Sequence, residues 1–169
     1  SKPYIDLTLS VLNAFGWNVQ HQDYKRFEFL AHPPLADHID YTVEGDWSGA
    51  AFLLVAGAIA GPITVKGVQL DSTQADKAVM QALKDTGASI DINENAIQIG
   101  PAKDKAGVVG SLKAFEFDAT HCPDLFPPLV ALAAVCYGVT ILHGVSRLAH
   151  KESDRGLTLQ KEFAKLGIR

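Results

Sequence analysis

Lys151-Glu152-Ser153-Asp154-Arg155 places two cations and two carboxylates in one short run, a combination that can hold an anion and move a proton. The run follows a strand-like stretch, Val139 to Leu142, and a turn at His143-Gly144. It precedes apolar positions at Leu157, Leu159, Phe163 and Leu166, so the pattern predicts that it opens a helix. A helix start presents unpaired backbone N–H groups and the positive end of the macrodipole, which favours phosphate or carboxylate there. Lys151 and Arg155 would share one face of such a helix, with Glu152 and Asp154 beside them. The same spacing also describes a solvated first turn laced with ion pairs, so spacing alone leaves the chemistry open.

The chain that must position these groups has 169 residues, enough for one domain or a little more. At 47% hydrophobic and 20% charged residues it can bury a core. A net charge of -4 argues against nucleic acid or an anionic membrane as the main partner. Anionic small molecules stay possible, because the field inside a pocket can oppose the net charge. Cys122 and Cys136 provide no disulfide framework and suit a reducing cytoplasm; Cys136, beside Ala133, Ala134 and Val135, reads as core. The apolar run Ala50 to Ala60 is too short to span a bilayer. The six histidines lack metal-ligand spacing, so no metal is expected. The chain opens at Ser1-Lys2-Pro3 without an initiator methionine, as processing or a cut from a longer chain would leave it.

Apolar spacing at Ile5, Leu9, Leu12 and Phe15 predicts an amphipathic helix ended by Gly16. Trp17 to Gln20 and Arg26 to Leu30 read as a pair of antiparallel strands, and His32-Pro33-Pro34 breaks regular structure before a linker at Asp37 to Tyr41. Asp46 is a natural N-cap for a helix from Trp47 to about Ala60, rich enough in small apolar residues to be buried on most sides. Ile63 to Val65 is strand-like, Ser72 to Thr86 reads as one amphipathic helix closed by Gly87, and Ser89 to Ile92 with Ala96 to Ile99 form a hairpin around Asn93-Glu94-Asn95. A short strand, Phe115 to Phe117, then leads through Pro123 to Pro128 into a small-residue helix, Leu129 to Tyr137.

The later block repeats the earlier one: G-P-I-T-V-K-G-V at Gly61 to Val68 matches G-V-T-I-L-H-G-V at Gly138 to Val145. Helix ends echo each other too, in Leu12-x-x-x-Gly16, Leu83-x-x-x-Gly87 and Phe163-x-x-x-Gly167. Each unit reads helix, strand, helix, strand, strand, preceded by a strand where the chain supplies one. The chain enters one unit part-way, holds a second, and stops before the hairpin of a third, which makes truncation the expectation.

Four motifs in order, S-K-P-Y-I-D-x-T-L (Ser1 to Leu9), V-E-G-D-W-S-x-A (Val43 to Ala50), C-P-D-L-F-P-P (Cys122 to Pro128) and K-E-S-D-R, carry a resemblance to the 5-enolpyruvylshikimate-3-phosphate synthases. The resemblance runs nearly end to end. It implies an α/β (α+β) fold of repeated βαβαββ units, the enolpyruvyl transferase fold, with helices packed on mixed sheets. It also implies a remnant of a first, substrate-binding domain at residues 1–40 and two units of a second domain at 41–169, the last incomplete. The Lys-Ser phosphate loop, an arginine and a Ser-Ser-Gln element of one part of the family enzyme, and a further arginine and lysine of another, have no counterpart in this stretch.

The reaction implied moves the enolpyruvyl group of phosphoenolpyruvate to the 5-hydroxyl of shikimate 3-phosphate and releases phosphate, without cofactor. By resemblance, Asp124 binds that hydroxyl and accepts its proton; on its own, an aspartate after Cys122-Pro123 would read as a helix N-cap. Lys151 would touch the hydroxyl and the 3-phosphate, and Glu152 would handle protons at the methylene carbon. Arg155 would hold phosphoenolpyruvate, Ser1 would hydrogen-bond the 3-phosphate, and Tyr4 would line the shikimate pocket. Arg147, at a position that is asparagine or arginine in relatives, would bind shikimate 3-phosphate. Ala149-His150 departs from the family's usual pair before K-E-S-D-R, and His121 and His150 read as polar surface or cleft-rim residues. Expected partners are therefore the two small-molecule substrates, with no nucleic acid and no membrane, in a monomeric, cytoplasmic parent enzyme, the fragment alone being inactive. Two rivals stand beside this: a non-catalytic ligand-binding or scaffold domain reusing the repeat, and the sister UDP-N-acetylglucosamine enolpyruvyl transferase, which lacks K-E-S-D-R.

Overall fold

In the computed structural model the residues described are 1–30, 38–94, 96–103, 106–149 and 154–168. The chain forms helices α1 (Lys2–Ala14), α2 (Trp47–Ala60), α3 (Val79–Asp85), α4 (Phe126–Ala133) and α5 (Arg155–Lys165). Its strands are β1 (Val19–Gln22), β2 (Arg26–Phe29), β3 (Ile63–Lys66), β4 (Ser89–Asn93), β5 (Ala96–Gly100), β6 (Glu116–Asp118) and β7 (Ile141–His143). This is an α+β fold.

The core is built on α2. Asp46 caps it as expected, its carboxylate accepting from the N–H groups of Ser48 at 3.1 Å and Gly49 at 2.9 Å. Trp47, Ala50, Ala51, Leu54, Val55, Gly57 and Ala58 are buried. The small residues let a sheet approach: a Cβ at Gly57 would lie 2.5 Å from Ile99 Cγ2 and 3.3 Å from Ile63 Cβ. That sheet has the order β3-β5-β4, antiparallel throughout, with Val65 opposite Ile97 and Ile90 opposite Ile99. Helix α4, which buries Phe126, Pro128, Leu129 and Leu132, also packs against α2.

Three of the element boundaries that differ from the sequence reading do so for a clear local reason. The helix expected at Ser72 to Thr86 divides into a 3-10 turn, Ala75–Ala78, and α3. Ser72 Oγ accepts the Gln74 N–H at 3.1 Å, while Gln74 caps the start of α2, accepting from Trp47 N at 2.9 Å and donating to Gly45 O at 3.0 Å. Side chains committed to foreign backbone in this way compete with helix formation. The first strand begins at Val19 because the Trp17 N–H is spent on Leu12 O at 2.9 Å, in the turn where Gly16 takes φ +81°.

The small-residue helix α4 starts and ends earlier than Leu129–Tyr137. Its prolines, Pro127 and Pro128, sit in the first turn, where a missing N–H costs no intrahelical bond. At the other end Tyr137 is drawn into backbone pairing with the preceding segment. Its N–H donates to Leu112 O at 2.8 Å and its carbonyl accepts from Ala114 N at 3.0 Å. Val135 and Tyr137, expected inside a buried helix, are exposed.

β6 and β7 are parallel neighbours, Phe117 opposite Leu142, joined through α4 as a βαβ crossover. The first complete block runs α2, β3, the turn and α3, β4, β5; no strand precedes α2 among residues 38–46, where Gly45 N bonds Gly67 O at 2.9 Å. At the N-terminal end, β1 and β2 form an antiparallel hairpin tied to α1 by the Tyr24 hydroxyl, which donates to Asp6 at 2.9 Å. Neither α1 nor α5 has a buried residue.

Candidate functional site

The parallel β6–β7 pair brings two loops together at the carboxyl ends of its strands, the position where ligands bind in open α/β sheets. Ala119 N donates to His143 O at 3.0 Å, extending the pairing past the strands. Gly144, at φ +93°, then passes so close to Thr120 that a Cβ would lie 2.6 Å from its backbone nitrogen. Only glycine satisfies both conditions there.

One loop carries Asp124, in a 3-10 turn Pro123–Leu125 anchored by the buried side chains of Cys122, Leu125 and Phe126. The other leads through a second 3-10 turn, Val145–Leu148, pinned by buried Leu148, to the start of α5. Asp154 caps α5, its carboxylate accepting from Leu157 N at 3.0 Å, so Arg155 is the first helical residue. Arg155 Nη1 meets Asp124 Oδ1 at 2.7 Å, with the side chains 31% and 41% exposed. Asp124 is thus an ion-pair partner, and neither the turn nor α4 has a side-chain cap. A half-exposed pair of this kind adds little stability, and an arriving anion can compete for the guanidinium and free the carboxylate.

Tyr4, in the first turn of α1, reaches the same neighbourhood from the far end of the chain. Its hydroxyl donates to Asp76. Burial, this bond, and the fields of Asp76, Asp124 and Asp46 all push the phenol well above its usual range, so it stays protonated as a donor. Asp76 was not foreseen from the sequence. The signal for it was faint: a carboxylate between the apolar positions Ala75 and Val79 of a segment read as amphipathic helix. The Cys122 thiol is pushed up to about 12 by burial, with Asp76 and Asp118 adding to it, so it is packing rather than a nucleophile. Asp118 is held below the usual carboxylate range by the hydroxyl and N–H of Thr120.

The remaining expected residues divide. Ser1 is exposed at the N-cap of α1, and its hydroxyl makes no capping bond. Arg147 is exposed in the Val145–Leu148 turn, and among the described residues no hydrogen bond or ion pair joins it to Asp124 or Arg155. Lys151 and Glu152, with His150, lie outside the described residues, as does the expectation that Lys151 shares a helical face with Arg155. The fold therefore brings Asp124, Arg155 and Tyr4 into one region. A carboxylate that can take a hydroxyl proton stands there beside a fork-shaped cation that fits phosphate or carboxylate.

Comparison with known proteins shows the family to which the chain belongs. The family model described as EPSP synthase (3-phosphoshikimate 1-carboxyvinyltransferase) matches residues 1–169. A 3-phosphoshikimate 1-carboxyvinyltransferase of Clostridium kluyveri is 39% identical over 167 residues, 99% of this chain and 37% of the relative. One from Aeropyrum pernix is 34% identical over 168 residues, again 99% of this chain and 37% of the relative. The chain thus spans little more than a third of the length of such relatives. The structure of EPSP synthase from Acinetobacter baumannii superposes with a TM-score of 0.71 at 26% identity, covering 89% of this chain and 34% of that one. The enolpyruvyl transferase NikO from Streptomyces tendae shares the fold, with a TM-score of 0.62 at 19% identity over 83% of this chain and 33% of that one.

Proposed function

As the chain belongs to the EPSP synthase family, we propose that the whole protein transfers the enolpyruvyl group of phosphoenolpyruvate to the 5-hydroxyl of shikimate 3-phosphate, releasing phosphate, in the route to chorismate and the aromatic amino acids. The match of the family model to every residue carries this reading. The four motifs that it contains, and the Asp124–Arg155 pair, agree with it.

Both substrates are polyanions, so their charge must be offset by fixed cations in a site that closes against water. Arg155 takes the phosphoenolpyruvate end, where a planar fork meets carboxylate or phosphate with two bonds. Once that anion draws Arg155 away, Asp124 is left to accept from the 5-hydroxyl and take its proton as the carbon–oxygen bond forms. Glu152 delivers a proton to the methylene carbon, and in the elimination of phosphate the same groups act in reverse roles. Lys151 contacts the hydroxyl and the 3-phosphate, with Ser1 and Arg147 on the shikimate 3-phosphate side and Tyr4 against the ring. In this reading residues 1–40 belong to the substrate-binding domain and 41–169 to two units of the second, in a monomeric, cytoplasmic enzyme without nucleic-acid or membrane partners. Among the described residues no helix is long and apolar enough to cross a membrane.

The test is a pair of variants in the full-length enzyme. Lys151→Met removes a phosphate contact and a proton-handling group together, so both shikimate 3-phosphate affinity and kcat fall. Glu152→Gln lowers mainly kcat, because its work is at the other substrate's carbon. Equal, small effects on both parameters would reduce the stretch to a solvated helix start. The 169-residue chain alone, lacking half of the expected charge-neutralising groups, should release no phosphate from phosphoenolpyruvate; losing even one preorganised donor typically costs about 10²–10³ in rate.

A further inference from the structure

Asp76 is only 1% exposed, and burying a carboxylate is costly unless its bonds are used. The turn that carries it is held on both sides. Gln74 is locked into the start of α2, and Lys77 donates to the carbonyls of Leu70 at 2.9 Å and Ser72 at 2.6 Å. The carboxylate is therefore a fixed acceptor on the core. What it accepts is the hydroxyl of Tyr4, 72 residues away in sequence. Of the side-chain hydrogen bonds that α1 makes among the described residues, this one alone reaches beyond the β1–β2 hairpin. No residue of α1 is fully buried, so this directional bond is the polar contact that sets where its first turn stands against the Asp124–Arg155 region.

We propose that Asp76 is a positioning residue: by holding the Tyr4 hydroxyl it fixes the Tyr4 ring as a wall of the shikimate 3-phosphate site, and so sets affinity for that substrate without touching it. This rests on the functional reading above. The role is one of geometry and not of proton transfer. The phenol is kept protonated by burial and by three neighbouring carboxylates, which makes it a permanent donor to Asp76.

The experiment is a double-mutant cycle of Asp76→Ala and Tyr4→Phe in the full-length enzyme, with Asp76→Asn as the conservative variant. A lost hydrogen bond to a charged group corresponds to about a tenfold effect or more. Asp76→Ala should raise KM for shikimate 3-phosphate about tenfold while kcat changes less than about threefold. Tyr4→Phe should do the same, and the double variant should be no worse than the stronger single one. Asp76→Asn, whose amide oxygen can still accept from Tyr4, should restore KM to within about threefold of the parent. Multiplying effects in the double variant, a kcat loss with unchanged KM, or an unaffected Asp76→Ala enzyme would overturn the proposal. An unsubstituted enzyme that does not consume shikimate 3-phosphate would overturn the functional reading instead. The coupling is then read from thermal unfolding of the same proteins, where additive Tm losses refute the Tyr4–Asp76 link and sub-additive ones uphold it.

Discussion

The helices α2 and α4 bury much of their length, whereas α1 and α5 hold no fully buried residue, and the site draws on both the core and this periphery. The acceptors, Asp76 and Asp124, stand on 3-10 turns packed on the core. The donors, Tyr4 and Arg155, come from the first turns of the two peripheral helices. Each peripheral helix thus meets the core with a polar bond at its N-terminal end, Tyr4 to Asp76 and Arg155 to Asp124. The difference teaches that in this chain apolar packing fixes the carboxylates, while hydrogen bonds bring the donors to them.

The comparison can be broken most forcefully at Asp124. In the full-length enzyme, Asp124→Asn keeps the shape of the turn yet removes the proposed proton acceptor, so kcat should fall about 10²–10⁴-fold, the usual worth of general base catalysis. Melting temperature should barely move, because the ion pair is half exposed. A large loss of stability with modest loss of rate would assign Asp124 to the core side of the division.

Matched leucine truncations sharpen the core-versus-periphery contrast. Leu54→Ala, fully buried in α2, should cost about 2–5 kcal/mol in denaturant unfolding. Leu157→Ala, half exposed in α5, should stay within about 0.5 kcal/mol. Comparable losses would mean that α5 is held by packing that its exposure does not reveal.

The smallest effect belongs to the cap of α2. Burial raises the Asp46 carboxyl, but the N–H of Gly49 and the hydroxyl and N–H of Ser48 outweigh it and leave it below the ordinary value. A depressed folded-state value means that the contribution is present above the unfolded value, near 3.8, and is lost as pH falls through the folded one. Asp46→Ala should therefore cost about 1 kcal/mol at pH 7, and the gap to the parent in thermal melts should close below about pH 3.8. A gap that persists there would show the loss to be packing and not the cap.

The sequence was legible wherever a signal was periodic or local. The run of small apolar residues marked α2 and Asp46 marked its start, and alternation around Asn93-Glu94 marked the β4–β5 hairpin. It was illegible where a side chain answers to distant backbone. Gln74 serves the start of α2 instead of its own helix, and Tyr137 pairs with Leu112 and Ala114 instead of finishing α4. At the site, Arg155 stood out from its place in K-E-S-D-R and Asp124 was named through family resemblance, while their meeting depends on a crossover that no local spacing encodes. Asp76 went unnoticed because a carboxylate in a segment read as an amphipathic helix passes for its solvated face until its burial is seen.

The near-touch of Gly144 and Thr120 gives the two site loops a common backbone. With no room for even a methyl group between them, neither loop can shift without moving the other, so the spacing of guanidinium and carboxylate is inherited from a main-chain contact rather than tuned by either side chain. Variation at Gly144 would accordingly read in kinetics like damage to the charged groups themselves, although the residue has no side chain with which to do chemistry.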